Sequence, residues 1–304
     1  MKTFIRKLSI KERKGFINSI IYSIFSFIYV ILTKYILYRS KISFITLLFI
    51  SGSILIIMGF YRIIRLIKKF KSTEKENIKI NFITGFNSFL SYFFLTASIA
   101  STSLTNITFI TRLYPYLIML NNHLSKDVNI PKSQLVSFLI YIFSFLIIFF
   151  PALYRESGFG VFFCLISILF KFSSLQHLSK AKGVNIDLLM LNIGFYNAFF
   201  GGIIVIITFD KIEHIGKVSW ILIILNALTT YFMKIFLNKV LKRNSNNEQK
   251  LMILNVLVML FVLPFDFYVF GQTFYYNYLV LIFSFVDFFF FYKKVKKFIK
   301  SDRY

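Results

Sequence analysis

Long apolar segments recur along the whole chain and are separated by short polar connections. A helix needs about 19 apolar residues to cross a bilayer. Ten segments reach that length, at 16–37, 43–61, 80–100, 104–122, 134–152, 158–178, 187–208, 218–238, 250–270 and 274–292. The pattern predicts an all-α membrane protein with ten transmembrane helices.

Composition supports this prediction and narrows the chemistry. Hydrophobic residues make up 57% of the chain and charged residues 16%, a balance too apolar for a soluble domain. The sequence contains no phosphate-binding GxxxxGK[ST] motif, no HExxH and no GxSxG, so an ATP-driven pump or a common membrane hydrolase has no motif support. We therefore expect no enzymatic activity, no cofactor and no metal.

Basic residues sit mainly in alternate connections. If the N-terminus is cytoplasmic, 27 Lys and Arg residues fall on the cytoplasmic side and five on the other side. Basic connections stay in the cytoplasm, so we expect both termini inside the cell, in the cell (inner) membrane. The net charge of +24 is thus a topology signal, and we expect no nucleic-acid partner.

Ten spans divide into two sets of five at the connection 151–158. The halves, 1–152 and 153–304, each hold an odd number of spans, so the second half must enter the membrane inverted relative to the first. Inverted repeats of this kind are typical of secondary transporters. The count therefore predicts two inverted five-helix repeats.

The segment Leu104–Asn122 combines an apolar sequence with a charge and a proline near its middle. An arginine at mid-membrane depth costs roughly 2.5–3.5 kcal/mol on insertion scales, so Arg112 should line a cavity or meet a partner. Pro115 removes a backbone donor and should act as a hinge. Thr105 and Thr108 share the helical face of Arg112 and Pro115, which we expect to face inward.

Polar and charged side chains in other spans complete a candidate site. We expect Arg112 and Lys171 to bind the substrate, with neutral contacts from Tyr22, Ser26, Tyr29, Thr108, Asn197 and Asn226. Charge-pair or coupling candidates are Lys34, Lys234, Asp266 and Asp287. For Lys34 we favour a side chain whose ammonium reaches the lipid headgroups. For Lys234 we give that interpretation and an inward orientation equal weight.

The charges within the spans favour an anionic cargo. The basic residues Lys34, Arg112, Lys171 and Lys234 are weighed against Asp266 and Asp287. The two deepest charges, Arg112 and Lys171, are both positive. A carboxylate or phosphate on the substrate would balance them. The alternative is that Asp266 and Asp287 neutralise the cavity, and that the cargo is neutral or cationic.

The stretch Thr96–Leu120, TASIASTSLTNITFITRLYPYLIML, together with the ten spans, resembles the EamA-type members of the drug/metabolite transporter superfamily. Lys34 stands where that family often has a lysine. The second half departs from the pattern, because Pro264 lies later in its span than Pro115 does. The resemblance to this family, as a divergent member, implies a proton- or exchange-driven carrier, with spans one to four and six to nine around a central cavity.

Two other classes of protein remain open at this point. The bundle could be the scaffold of a membrane-embedded enzyme or a lipid-handling protein, although clustered Asp, Glu or His at one membrane face would then be expected. A structural or assembly protein would not explain charges retained within spans. A small-molecule substrate and the lipid bilayer are the expected partners, and a second copy of the chain in a homodimer is a further candidate.

The basic asymmetry makes the topology testable. A reporter that is active only in the cytoplasm, fused after Tyr304, should be active, and a tag in the connection at Ile212 should be accessible from outside the cell. The measurement is reporter activity and tag labelling in intact cells. An inactive reporter with an extracytoplasmic C-terminus would overturn the ten-span count and the inverted repeat with it.

Overall fold

The computed structural model describes residues 10–40, 42–66, 75–111, 113–126, 132–153, 158–180, 186–208, 215–241, 262 and 264–271. The helices are α1 (Ile10–Ser40), α2 (Phe44–Leu66), α3 (Lys75–Ser101), α4 (Leu104–Thr111), α5 (Leu113–Lys126), α6 (Lys132–Leu153), α7 (Gly158–Lys180), α8 (Ile186–Thr208) and α9 (Lys217–Leu241). Residues 264–268 are also helical, and no strand occurs in these ranges. The all-α prediction is confirmed for this part of the chain.

Six of the helices are long and apolar enough to cross a membrane: α1, α2, α3, α7, α8 and α9. They correspond to predicted spans one, two, three, six, seven and eight, so the chain is an integral, multi-pass membrane protein. Predicted span four is described as α4 and α5 on either side of residue 112, and span five as α6. Of spans nine and ten, only residues 262 and 264–270 lie within the described ranges.

Serines begin two of these helices. The Ser43 hydroxyl accepts a hydrogen bond from the backbone N–H of Thr46 at 3.1 Å, and Ser103 Oγ accepts one from the Asn106 N–H at 3.2 Å. The first turn of a helix has backbone donors with no partner inside the helix. Each serine satisfies one of them, which fixes where α2 and α4 start.

Glycines bring α2 and α8 into backbone contact. An added Cβ at Gly52 would lie 2.7 Å from Ala198 N and 2.9 Å from Gly194 O. An added Cβ at Gly194 would in turn lie 2.9 Å from Gly52 O and from Ile56 N. Small residues allow this closeness, which supplies dispersion energy where lipid removes the hydrophobic drive for association.

Hydroxyl groups connect α3 and α7. Ser88 and Ser174 share a hydrogen bond of 2.7 Å, and Ser167 donates to the Ser91 carbonyl at 2.7 Å. Further along, an added Cβ at Gly160 would meet the Thr102 Cβ at 2.8 Å. Residue numbers rise along α3 as they fall along α7, so the two helices are antiparallel.

Aromatic stacking and an amide connect α1 and α9. Phe25 stacks on Phe232 at 5.4 Å between ring centroids, and Asn226 donates to the Thr33 hydroxyl at 2.8 Å. Because Phe25 precedes Thr33 whereas Phe232 follows Asn226, this pair is antiparallel as well. The contacts Gly52–Gly194 and Gly59–Leu191 show that α2 and α8 are antiparallel too.

Helix α6 packs on α4 and α5 through aromatic rings. Tyr141 stacks on Tyr116 at 5.1 Å and lies 5.2 Å from the Phe109 ring. The Tyr141 hydroxyl donates to the Phe109 carbonyl at 3.1 Å. This small cluster lies apart from the main core, to which α1 to α5, α7, α8, α9 and residues 262 and 270 contribute.

The backbone contact of α2 with α8 leads to a stability prediction. Gly52→Ala should destabilise the protein by about 1–3 kcal/mol, because backbone atoms under 3.0 Å from the new Cβ must move. Gly216→Ala is the matched control, since an added Cβ there meets nothing within 4 Å. Thermal unfolding of the two purified variants measures the difference. Equal midpoints would mean that the crossing adjusts freely.

Candidate functional site

A narrow polar cavity lies inside the bundle, between α1, α2, α3, α8 and α9. Its lining residues are Tyr29, Leu47, Leu48, Ser51, Leu55, Tyr92, Thr96, Asn197, Asn226 and Thr230. The space open to the centre of a water molecule is about 10 Å³, which is room for about one water molecule. Hydroxyl and amide groups at the centre of a membrane bundle need partners, so this cavity is the candidate functional site.

Two tyrosines form one wall of the cavity. Tyr29 and Tyr92 meet edge to face at 5.8 Å between ring centroids, and the Tyr29 hydroxyl shares a hydrogen bond of 3.3 Å with Thr96. The Tyr92 hydroxyl and Asn197 Oδ1 have no hydrogen-bond partner among the described residues. Both side chains are more than nine-tenths buried. Buried polar atoms without partners are uncommon, so these two are available to a ligand.

One lysine lies against this wall, and a second lies on the face of α7 that packs on α3. The Lys234 ammonium is 5.1 Å from the centroid of the Tyr92 ring and donates to the Ser88 hydroxyl at 3.3 Å. Lys234 therefore faces inward, towards α3. The Lys171 ammonium is 5.1 Å from the Tyr114 ring centroid. Within the described ranges neither ammonium has a carboxylate within 4 Å.

Lys34 does not reach the lipid headgroups, so the interpretation favoured from the sequence is wrong. Its side chain is 7% exposed, and its ammonium donates to the Ile99 carbonyl at 2.8 Å and to the Thr102 carbonyl at 2.9 Å. These carbonyls lie at the C-terminal end of α3, where the helix dipole is negative and backbone acceptors lack partners. Binding them satisfies both the charge and the carbonyls.

Asp266 binds the N-terminus of α4. Its carboxylate accepts hydrogen bonds from the N–H groups of Leu104 at 3.2 Å and Thr105 at 2.8 Å, and from the Thr105 hydroxyl at 2.7 Å. The helix N-terminus is positive and rich in free donors, so a buried carboxylate is stabilised there. Asp266 is thus held by backbone and hydroxyl donors of α4.

Lys34 and Asp266, here named the charged clamp, hold the connection between α3 and α4 from both sides. The ammonium binds the end of α3 and the carboxylate binds the beginning of α4, and the two charges also attract each other. The clamp joins α1, α3, α4 and the segment 264–271. It lies outside the set of residues that line the cavity.

Only some of the remaining predicted site residues line the cavity. Tyr22 is buried in the main core, and Ser26 is half-buried on α1. The Thr108 hydroxyl donates to the carbonyls of its own helix at Leu104 and Thr105. Of the neutral contacts predicted, Tyr29, Asn197 and Asn226 line the cavity. Arg112, Asp287 and the Pro115 side chain lie outside the described residues.

Several cavity residues were not predicted as site residues from the sequence. Tyr92, Thr96, Ser51 and Thr230 all line the cavity. Ser88, Tyr92 and Thr96 follow one another at four-residue steps, the spacing of one helical face. That polar stripe on α3 was the available signal. It was hidden because aromatic residues make up 20% of the chain.

Comparison with known proteins supports the fold. No family model matches the chain, and no curated protein matches it. A solved crystal structure of a protein is similar over 92% of this chain and 96% of that chain, with a TM-score of 0.57 and 12% sequence identity. At that identity the similarity extends to the fold alone.

The charged clamp should carry a measurable part of the stability. Lys34→Met leaves the Ile99 and Thr102 carbonyls without their donor, and each unsatisfied buried acceptor costs about 1–3 kcal/mol. Lys239→Met is the control, because Lys239 is an exposed lysine near the end of α9. Thermal unfolding in detergent compares them. A loss no larger than that of the control would show that the two carbonyls find other donors.

Proposed function

We propose that this protein is a secondary transporter that moves a small polar metabolite, anionic or zwitterionic, across the cell membrane. The observation that carries the proposal is the polar cavity enclosed by an apolar bundle, with Lys234 against its Tyr92 wall. Neither Lys234 nor Lys171, which lies over Tyr114, has a carboxylate partner in the described ranges. We also propose ten helices in two inverted repeats, as in the EamA-type drug/metabolite transporters that the sequence resembles. Both termini are then cytoplasmic.

The helix pairing supports the inverted repeat. By span number, exchanging the halves replaces α1 with α7, α2 with α8 and α3 with α9. The three most extensive helix pairs are α2–α8, α3–α7 and α1–α9. The exchange converts the pair α3–α7 into the pair α1–α9 and returns α2–α8 to itself. A two-fold axis between two repeats produces this relation.

A constant offset along the sequence supports it further. Three pairs of residues have the same separation along the sequence: Gly52 and Gly194, Gly59 and Gly201, and Phe49 and Leu191. The contact between Gly59 and Leu191 therefore corresponds to the contact between Gly201 and Phe49. In both, a Cβ added to the glycine would lie 3.1 Å from the nearest atom of its partner. The Gly52–Gly194 contact corresponds to itself, which puts the proposed axis at this crossing.

The size of the cavity favours a transport cycle over an open channel. Room for about one water molecule is too little for a metabolite. The bundle must therefore widen to admit its cargo. Inverted-repeat carriers do this by rocking one part of the bundle against another around a site at the repeat interface.

The partners of Asp266 favour an anionic cargo. Its carboxylate is held by the first turn of α4 and does not lie within 4 Å of either Lys171 or Lys234 in the described structure. One of the two acidic residues that could have neutralised the cavity is thus engaged elsewhere. With Arg112 as the predicted third cation, a carboxylate or phosphate on the cargo supplies the missing charge.

Uptake into liposomes tests the proposal. Purified protein in liposomes, screened against pooled radiolabelled metabolites, should take up an anion or a zwitterion. We expect Arg112→Gln and Lys171→Gln to lower that uptake, because each removes a charge that the cargo balances. Lys239→Gln is the matched control and should keep the parental rate.

Two results would contradict the proposal. Absence of uptake for every metabolite pool, with protein that is folded and correctly inserted, would argue against transport itself. Uptake restricted to cations, with Arg112→Gln still active, would leave a transporter but remove the anionic cargo.

A further inference from the structure

The offset that relates the two halves also relates the aromatic wall of the cavity to its cations. Lys171 follows Tyr29, and Lys234 follows Tyr92, at the same sequence separation at which Gly194 follows Gly52. The halves therefore carry different chemistry at equivalent positions. The first half supplies two phenol rings on α1 and α3, and the second half supplies two ammonium groups on α7 and α9.

The contacts agree with this correspondence. Tyr29 and Tyr92 are neighbours, at 5.8 Å between centroids, and their counterparts Lys171 and Lys234 approach the same turn of α3. Lys234 donates to Ser88, and Lys171 shares a face of α7 with Ser167 and Ser174, which bond Ser91 and Ser88. Tyr92 and its own counterpart Lys234 are in contact, at 5.1 Å from ammonium to ring. A position that touches its own counterpart lies beside the two-fold axis. The four residues thus surround the axis that also passes the crossing of α2 and α8.

We infer that these four residues form a two-sided site for an organic anion that carries a planar ring. The ammonium groups of Lys171 and Lys234 bind the carboxylate or phosphate. The ring of the ligand packs on Tyr29 and Tyr92, with edge-to-face or offset stacking. The inference rests on the proposed function and specifies its cargo.

Further lining residues suit a ligand of this shape. Leu47, Leu48 and Leu55 extend the apolar wall, and they offer no hydrogen bonds to a polar body. The unpartnered Tyr92 hydroxyl and Asn197 Oδ1 stand beside that wall and provide one donor and one acceptor for polar groups on the ring. A bare inorganic ion would leave the apolar wall unused.

Binding to the purified full-length protein tests the inference without requiring transport. Benzoate and phenyl phosphate combine a ring with a carboxylate or a phosphate. Cyclohexanecarboxylate lacks the planar ring, inorganic phosphate lacks a body, and benzylamine reverses the charge. Titration of the thermal unfolding midpoint with each compound gives its dissociation constant. We expect benzoate to bind roughly two- to twelvefold more tightly than cyclohexanecarboxylate, as ring stacking contributes roughly 0.5–1.5 kcal/mol beyond burial. Benzylamine should not bind.

Variants separate the two sides of the site. Lys171→Gln and Lys234→Gln should each weaken the aromatic anion roughly tenfold to a hundredfold, whereas Lys239→Gln should not. Tyr92→Leu should remove the preference for the planar ring and leave anion binding. Tyr92→Phe keeps the aromatic ring, so it should retain the preference, and it is the control for Tyr92→Leu. Unfolding midpoints without ligand are measured first for every variant.

The failures of this inference and of the proposed function are distinguishable. Equal binding of cyclohexanecarboxylate and benzoate, binding of benzylamine, or no binding of either aromatic anion would each overturn the two-sided site. Aromatic anions that bind but are never taken up by liposomes would overturn transport and leave the site. Uptake of a neutral cargo that is insensitive to Lys171→Gln and Lys234→Gln would leave transport and overturn the site.

Discussion

Burial of charge and backbone polar groups in an apolar bundle is the constraint on which this structure depends. The clamp shows how it is met: Lys34 binds the carbonyls that end α3, and Asp266 binds the amides that begin α4. A break between two helices inside a membrane protein exposes such groups, and water is not there to bind them. The irregular connection at 102–103 can exist because a charge of each sign satisfies the backbone groups on its two sides.

The sequence predicted the helices well and the contacts between them poorly. Helix length and apolar content are local properties, so the six spanning helices were found close to where they lie. The partners of Lys34 are 65 and 68 residues away and those of Asp266 are 161 and 162 residues away. Local periodicity contains no information about such pairs. The snorkelling interpretation of Lys34 was therefore wrong for a physical reason.

The cavity was predictable only in part. Tyr29, Asn197 and Asn226 stood out because each is polar on a helix face that is otherwise apolar. Tyr92 did not stand out, since a tyrosine among so many aromatic residues reads as a packing residue. Two spatial facts single it out, the unpartnered hydroxyl and the ammonium group of Lys234 over its ring. The sequence signal, an equal offset from both tyrosines to both lysines, becomes recognisable only once the helices are paired.

The crossing at Gly52 and Gly194 has a mechanical consequence. An added Cβ at Gly52 would lie 2.6 Å from the Cβ of Asn197, so the α2 backbone rests directly on this residue of α8. Asn197 and Ser51, the neighbour of Gly52 in the chain, both line the cavity. A rotation of α2 against α8 at this crossing therefore changes the shape of the cavity directly, without relay through other side chains.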